Sequence, residues 1–374
     1  MTAHDAKPEK TKPQGPYLRS IGALSGAGLI GASDPAELEN VARRYAVSIS
    51  PALAELIDPD DPDDPIRLQF VPDARELMTL PQELADPIGD EAHSPVPGIV
   101  HRYPDRVLLK ALKVCPVYCR FCFRRESVGP GEGQILDGAE VDAACAYIAS
   151  NPAIWEVILT GGDPLALSPR RIEALMARLA AIPHVRTIRI HTRVPVAEPA
   201  RVDAAMIAAI KSCGKAVFVA LHANHPRELF ADARAACARI VEAGIPMVSQ
   251  SVLLRGVNDD PEVLAALMRA FVECRIKPYY LHHPDLAPGT SHFRLPLEEG
   301  KAIFGKLRGR LSGLAQPQYV IDIPGGYGKS PVAAAIRDGN TGPTFRVADW
   351  RGVTHTYEDT PAARLENGSP AKKT

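Results

Sequence analysis

The sequence predicts an α/β fold, a partial (β/α)6-type TIM-like barrel with an N-terminal helical extension and a short C-terminal extension. Three observations carry this. From about residue 106, short β-rich runs alternate with amphipathic helical runs, a pattern that favours a parallel sheet with right-handed crossovers. Six or more such units follow one another, enough to curl a sheet into a full or partial barrel. Residues unusual in a core fall just after one strand and then the next, where barrel loops build their site.

The elements follow in order. Residues 1–16 are polar and rich in Lys and Pro, lack a signal-peptide apolar stretch, and are expected to be disordered. Residues 17–100 read as a helical region. Its apolar run Ile21 to Ala32 is too short to cross a bilayer. Ser33-Asp34-Pro35 offers a helix cap with proline in the first turn, and Pro51 to Ile57 starts a second short helix. The acidic run Asp58 to Pro65 lacks the glycine and terminal glutamate of an EF-hand loop, so it reads as a solvated linker. Residues 101–331 form the barrel core. Its strands are expected at Val107–Leu112, Glu156–Thr160, Thr187–His191, Ala216–Leu221, Met247–Leu253, Pro278–His282 and Gln318–Ile323. Helices are expected at Ala139–Ala149, Pro169–Ile182, Pro226–Ala243, Pro261–Glu273 and Glu298–Leu311. Residues 332–374 are a C-terminal extension with a polar tail from Asp359.

At 374 residues the chain can bury a large core. A formal net charge of −1 gives no global attraction to nucleic acid or an anionic membrane. Seven cysteines, an odd number with one tight cluster, argue against a disulfide framework and for a reducing, cytoplasmic setting.

That cluster is Cys115, Cys119 and Cys122, spaced C-x3-C-x2-C, with Phe121 before the last cysteine. Structural zinc and electron-transfer iron–sulfur sites normally take four protein ligands. Three thiolates on a four-iron cluster leave one iron open to bind a small molecule. The plain alternative, small buried hydrophobes, fits poorly beside Arg120, Arg124 and Arg125. Cys145, Cys213, Cys237 and Cys274 are scattered singly, where burial suits them.

Two further motifs matter. Gly161-Gly162-Asp163 after the second of these strands would let backbone approach a ligand, although the same triplet is an ordinary turn. In Pro324-Gly-Gly-Tyr-Gly-Lys329 the phosphate-loop spacing G-x4-G-K-[ST] is absent. A lysine at a barrel mouth suits a Schiff base with a carbonyl; a surface lysine on a glycine-rich loop is the alternative. Either Asp285 or Asp322 can equally be a loop cap or one half of an ion pair.

The cysteine spacing resembles the cluster loop of radical S-adenosylmethionine (SAM) enzymes. Together with Arg120, Arg124, Pro324–Lys329 and Tyr279-Tyr280-Leu-His-His-Pro-Asp285, the chain resembles the lysine 2,3-aminomutase family, from about His101 to Pro331. The resemblance implies a radical SAM barrel, a [4Fe–4S] cluster on Cys115, Cys119 and Cys122, SAM, and pyridoxal phosphate (PLP) on Lys329. It implies Arg102 and Arg106 near the PLP phosphate, Arg124 on the substrate α-carboxylate, and Asp285 and Asp322 on the substrate side-chain ammonium. Gly161, Gly162 and Asp163 match the contact to the SAM amino group, and Phe121 the packing against adenine. His191, Arg193 and Gln250 match the SAM and PLP surroundings.

The implied reaction moves the α-amino group of L-lysine to the β-carbon, an isomerisation that needs an external one-electron reductant. Two carboxylates at the far end of a pocket select a cation over a terminal carboxylate, so another cationic amino acid stays open. So do a β-lysine-forming accessory role in translation-factor modification and a non-enzymatic iron–sulfur sensor. The chain departs from the family in having no cysteine after Cys274, so no zinc is expected, and any homo-oligomer built on that metal is in doubt. Tyr327 within the glycine run is expected to alter access to Lys329.

Overall fold

The computed structural model describes residues 15–31, 33–129, 131, 133–339 and 342–359. The calls on residues 1–14 and on the tail beyond 359 lie outside them. Nine strands form one sheet in chain order: β1 Ile99–Tyr103, β2 Arg106–Leu112, β3 Glu156–Gly161, β4 Thr187–Thr192, β5 Ala216–His222, β6 Met247–Val252, β7 Ile276–His282, β8 Gln318–Ile323 and β9 Gly328–Pro331. Strands β2 to β8 are parallel throughout. Strands β1 and β9 flank them as antiparallel edges.

The parallel strands form because each satisfies two surfaces at period two. Val157 and Leu159 of β3, Ile188 and Ile190 of β4, and Ile321 and Ile323 of β8 are buried in the core against the helices. Their alternates, Ile158 and Thr160, Arg189 and His191, and Asp322, line the barrel interior. Six helices cross between consecutive parallel strands: Gly138–Ala149, Pro169–Ala180, Ala204–Lys211, Ala231–Glu242, Pro261–Glu273 and Leu297–Gly305. Most carry a side-chain cap; Asp260 caps Pro261–Glu273 and Asp137 with Glu140 forms a capping box on Gly138–Ala149. This is the partial barrel that the alternation predicts.

Several elements differ from expectation. The helix Ala204–Lys211 was not foreseen, and the run Pro226–Ala243 divides into a 3-10 turn at Pro226–Glu228 and a helix from Ala231. Edge strands β1 and β9 were also missed. Residues after β9 form a small antiparallel sheet, β10 Ile336–Arg337, β11 Thr344–Ala348 and β12 Thr354–Glu358. Its Phe345, Val347 and Tyr357 join the main core.

Before the barrel, short helices at Ile21–Gly26, Pro35–Arg44, Pro51–Ala54 and Pro65–Phe70 are joined by turns and extended chain. They pack around a second apolar cluster that includes Leu24, Leu38, Leu53 and Phe70, and Val117 of the cysteine loop belongs to it. Asp58, Asp60, Asp61 and Asp63 are exposed, as a linker requires. Asp64 is not: it is buried, caps Ile66 and Arg67, and pairs with Arg227 at 2.6 Å. A carboxylate with these donors is a joint between segments rather than a solvated linker residue. No helix among the described residues is long and apolar enough to cross a membrane.

Candidate active site

The carboxyl ends of the parallel strands open into a cleft of about 1730 Å³, part of it continuous with solvent. Every residue given a site role from the sequence lines this one cavity. The wall after β2 carries Cys115, Cys119, Phe121, Cys122 and Arg124. The turn after β3 supplies Gly161, Gly162 and Asp163. His191 and Arg193 come from the end of β4, Gln250 from β6, Asp285 from beyond β7, and Asp322 and Lys329 from β8 and β9. Arg102 and Arg106 enter from β1 and the start of β2.

The cysteine loop is clamped by the segment preceding the barrel. The Tyr118 N–H donates to Ser48 O at 3.1 Å and the Arg120 N–H to Gln69 O at 2.8 Å. The Ser48 hydroxyl donates to Pro116 O at 2.8 Å. Buried Arg120 makes a fork to Glu76, at 3.0 and 2.6 Å, and donates to Ala46 O. Arg125 also bonds Glu76 and stacks over the Tyr45 ring. Burial pushes all three thiols up, Cys119 to about 11; iron would hold them deprotonated. Among the described residues no three His, Cys, Asp or Glu side chains converge tightly enough for a single ion. A four-iron cluster spreads its thiolates further apart than one ion does, and three half-buried thiols on one cavity wall suit it.

Glycine is required at Gly161 and Gly162 for a reason other than ligand approach. A Cβ at Gly161 would lie 2.6 Å from Leu112 O, and one at Gly162 2.3 Å from Val114 O. The turn packs directly on the backbone leading into the cysteine loop. The Asp163 carboxylate is taken up by protein: Thr192 Oγ1 and the Arg193 N–H each donate at 2.7 Å, and the Leu165 N–H at 3.0 Å. Asp163 therefore fixes the β4 loop with its side chain.

The glycine run before Lys329 likewise serves packing rather than looseness. A Cβ at Gly326 would strike the His93 ring at 2.7 Å, and one at Gly328 Tyr103 Oη at 2.6 Å. Gly325, Gly326 and Gly328 all hold left-handed φ values between +86° and +94°. Tyr327 turns away and stacks on His355 at 3.9 Å. Lys329 is thus delivered on a tightly seated strand. Its Nζ donates to Asp322 Oδ1 at 2.6 Å. Asp322 Oδ2 accepts from His282 Nδ1 at 3.0 Å, which leaves His282 Nε2 to accept from the Gln250 amide at 2.8 Å.

Electrostatics divide the two aspartates. Burial works against ionising Asp322, but Lys329 and His282 outweigh it and hold the carboxyl below its usual range. Asp285 is pushed up to about 8, by burial first and the Asp322 charge second, against Lys329 and Arg124. His191, His222 and His282 are all shifted down by burial, His222 to about 3, and stay neutral at pH 7.

Residues that sequence reasoning missed organise the cations. Buried Asp90 receives Arg124 Nε at 2.9 Å, Arg102 at 3.1 Å and Lys110 at 3.4 Å. Burial opposes its ionisation, yet Arg124, Lys110 and Arg102 hold the carboxyl low. No sequence signal marks Asp90. Tyr103 lies between Arg102 and Arg106, and His282 within Tyr279–Asp285, so both were within reach of the sequence reading. Arg106 is the least committed of the arginines, paired with half-exposed Asp105 and lying over the Tyr103 ring at 3.8 Å.

The cavity has unmet bonding capacity. Arg102 Nε, His191 Nε2, Arg193 Nε, His222 Nε2 and Gln250 Oε1 are buried without a hydrogen-bond partner among the described residues. Such atoms are rare in a packed interior and mark ligand-binding ground.

Residues 110–268 match the Radical SAM superfamily. Among curated proteins, the chain is 40% identical over 313 residues to L-lysine 2,3-aminomutase of Clostridium subterminale, covering 84% of this chain and 75% of that one. It is 40% identical over 328 residues to L-lysine 2,3-aminomutase of Acetoanaerobium sticklandii, covering 87% and 79%. Glutamate 2,3-aminomutase of Clostridioides difficile is 34% identical over 329 residues, covering 88% and 77%. With relatives this similar over most of both chains, the protein belongs to the lysine 2,3-aminomutase family of radical SAM enzymes.

Proposed function

We propose that the chain is an L-lysine 2,3-aminomutase, an isomerase that moves the α-amino group of lysine to its β-carbon. The observation that carries the reading is the pairing of the Lys329 ammonium with buried Asp322, with half-buried Asp285 in the same cavity, which also holds the three clustered thiols. A lysine side-chain ammonium already sits on this carboxylate. The same oxygens can receive the ammonium of a substrate lysine, whereas a glutamate side chain would meet the Asp322 charge.

Membership in the radical SAM superfamily carries a [4Fe–4S] cluster and SAM. In this reading Cys115, Cys119 and Cys122 hold the cluster, Lys329 holds PLP, and these groups supply the radical and the amino-group migration. The residues of this chain bind and orient. Arg124 is fixed through Nε by Asp90, and its remaining nitrogens have no hydrogen-bond partner among the described residues. They can fork onto an α-carboxylate. Arg102 and Arg106 neutralise a phosphate, with the Arg102 Nε buried and unpaired. Phe121, Gly161 and Gly162 border the SAM side of the cleft, and Gln250 and His191 the space between. Holding the reacting groups together in one cleft is the protein's chief contribution.

The test is anaerobic reconstitution with iron, sulfide and PLP, then SAM and dithionite, with mass-spectrometric detection of β-lysine from L-lysine. Product that vanishes in both Cys119→Ala and Lys329→Ala is the expected result. Cleavage of SAM without β-lysine would move the substrate to another amino acid. A loaded protein that neither cleaves SAM nor forms product would overturn the reading.

A further inference from the structure

Arg193 does not do what its position at the end of β4 first implies. Its guanidinium reaches back to the cysteine loop, where NH1 donates to Cys119 Sγ at 3.3 Å. NH2 is held by Glu228 and by Gln69 Oε1, the latter at 2.9 Å. Glu228 is fully buried and in turn accepts the Asn224 and His225 N–H groups, at 2.8 and 3.0 Å. The Phe70 and Phe121 rings lie against the guanidinium at 5.0 and 5.5 Å. A buried, forked cation is thus locked onto one of the three clustered sulfurs by residues from three separate segments.

We propose that Arg193 is a positioning residue that tunes the cluster: its bond to Cys119 Sγ raises the potential at which the bound cluster accepts an electron. This rests on the assignment of Cys115, Cys119 and Cys122 as cluster ligands. The physical cause is differential. Reduction adds one negative charge, supplied by an external one-electron reductant, and part of it falls on the thiolate sulfurs. A donor aimed at that sulfur strengthens its bond as the charge builds, so the reduced state gains more than the oxidised one. Glu228 neutralises the net charge of Arg193, which leaves the directed bond as the chief tuning element. Gln69 ties the setting to the segment before the barrel.

The experiment compares reduction potentials of the reconstituted cluster by EPR-monitored redox titration, without substrate or turnover. Arg193→Met strands the buried Glu228 charge and risks misfolding, so the decisive protein is Arg193→Met/Glu228→Gln, in which both charges are removed together. With iron and sulfide loading equal to wild type, its potential is expected to shift negative. Arg193→Lys, which keeps the charge and one donor, is expected to fall between. Loaded Arg193→Met/Glu228→Gln at an unchanged or more positive potential would overturn the proposal while leaving the cluster assignment intact. A wild-type protein that takes up no cluster would instead overturn that assignment, and the proposal with it.

Discussion

The backbone N–H of Lys329 donates to Tyr103 Oη at 2.7 Å. This bond joins β9 to β1, the opposite edges of the open sheet, at the residue that carries the key amine. Strand closure and lysine placement are therefore one event.

Tyr103→Phe is expected to cost about 1 kcal/mol of stability, the usual worth of one intramolecular hydrogen bond. The variant should also retain PLP less well, since the strand carrying Lys329 loses its anchor. Urea denaturation together with the PLP absorbance after gel filtration checks both. Full retention at wild-type stability would show that β8 pairing alone seats the strand.

Asp285 makes the reaction pH-dependent. Below about 8 it is protonated and neutral, and it attracts an ammonium weakly. Above that it is charged. For lysine, kcat/KM should rise with pH and level off beyond about 8. Asp285→Asn should flatten this limb and lower the plateau about 30-fold or more, since truncating one partner of a buried charge pair costs about 2–5 kcal/mol. For stability the sign reverses. A carboxyl whose folded value exceeds its unfolded value contributes stability at acid pH that is lost as pH rises through about 8. The ligand-free protein should therefore gain more from Asp285→Asn at pH 8.5 than at pH 6. An unchanged pH–rate profile in Asp285→Asn would remove Asp285 from substrate recognition.

Asp90→Ala should release three cations at once. Arg102, Arg124 and Lys110 lose their shared partner, and two of them face the cavity. KM for lysine and the dissociation constant for PLP should both increase, by about 10- to 100-fold on the scale of lost supporting bonds. If only PLP binding suffers, Arg124 has another means of support.

Glu76→Gln should be costly in a different currency. It leaves Arg120 and Arg125 buried with no carboxylate between them, a change worth about 3–5 kcal/mol. Because both arginines pin the cysteine loop, iron uptake at fixed sulfide should fall along with the denaturation midpoint. Normal iron loading in a destabilised Glu76→Gln would separate the loop from the fold.

Most of the parallel strands were legible because they keep a β-branched or leucine face toward the helices, as in Ile188 and Ile190; β6, whose buried face is Met247, Ser249 and Ser251, was legible mainly by its place in the alternation. The cysteine spacing and Lys329 were legible because local spacing encodes them. What escaped depends on contacts across the chain. Gly328-Lys-Ser-Pro331 has no strand propensity of its own; it becomes β9 through pairing with β8 and its contact to Tyr103. Asp90 and Gln69 carry no motif, since each acts on residues far away in sequence. Asp64 was hidden among similar aspartates, and only the fold separates it from its exposed neighbours. The glycines of both loops were visible, but their cause, backbone packed on backbone, was not.

The clamp that Ala46, Ser48, Gln69 and Glu76 place on the cysteine loop bears on how such a protein can be inherited. A recombination joint just ahead of β1 would carry every strand and every cysteine to a new gene, yet leave behind the chain that holds the loop in shape. The transplanted barrel would keep its signature and lose its setting. The opening hundred residues and the barrel are in this respect a single heritable unit, and shuffling between relatives should succeed only where both halves travel together.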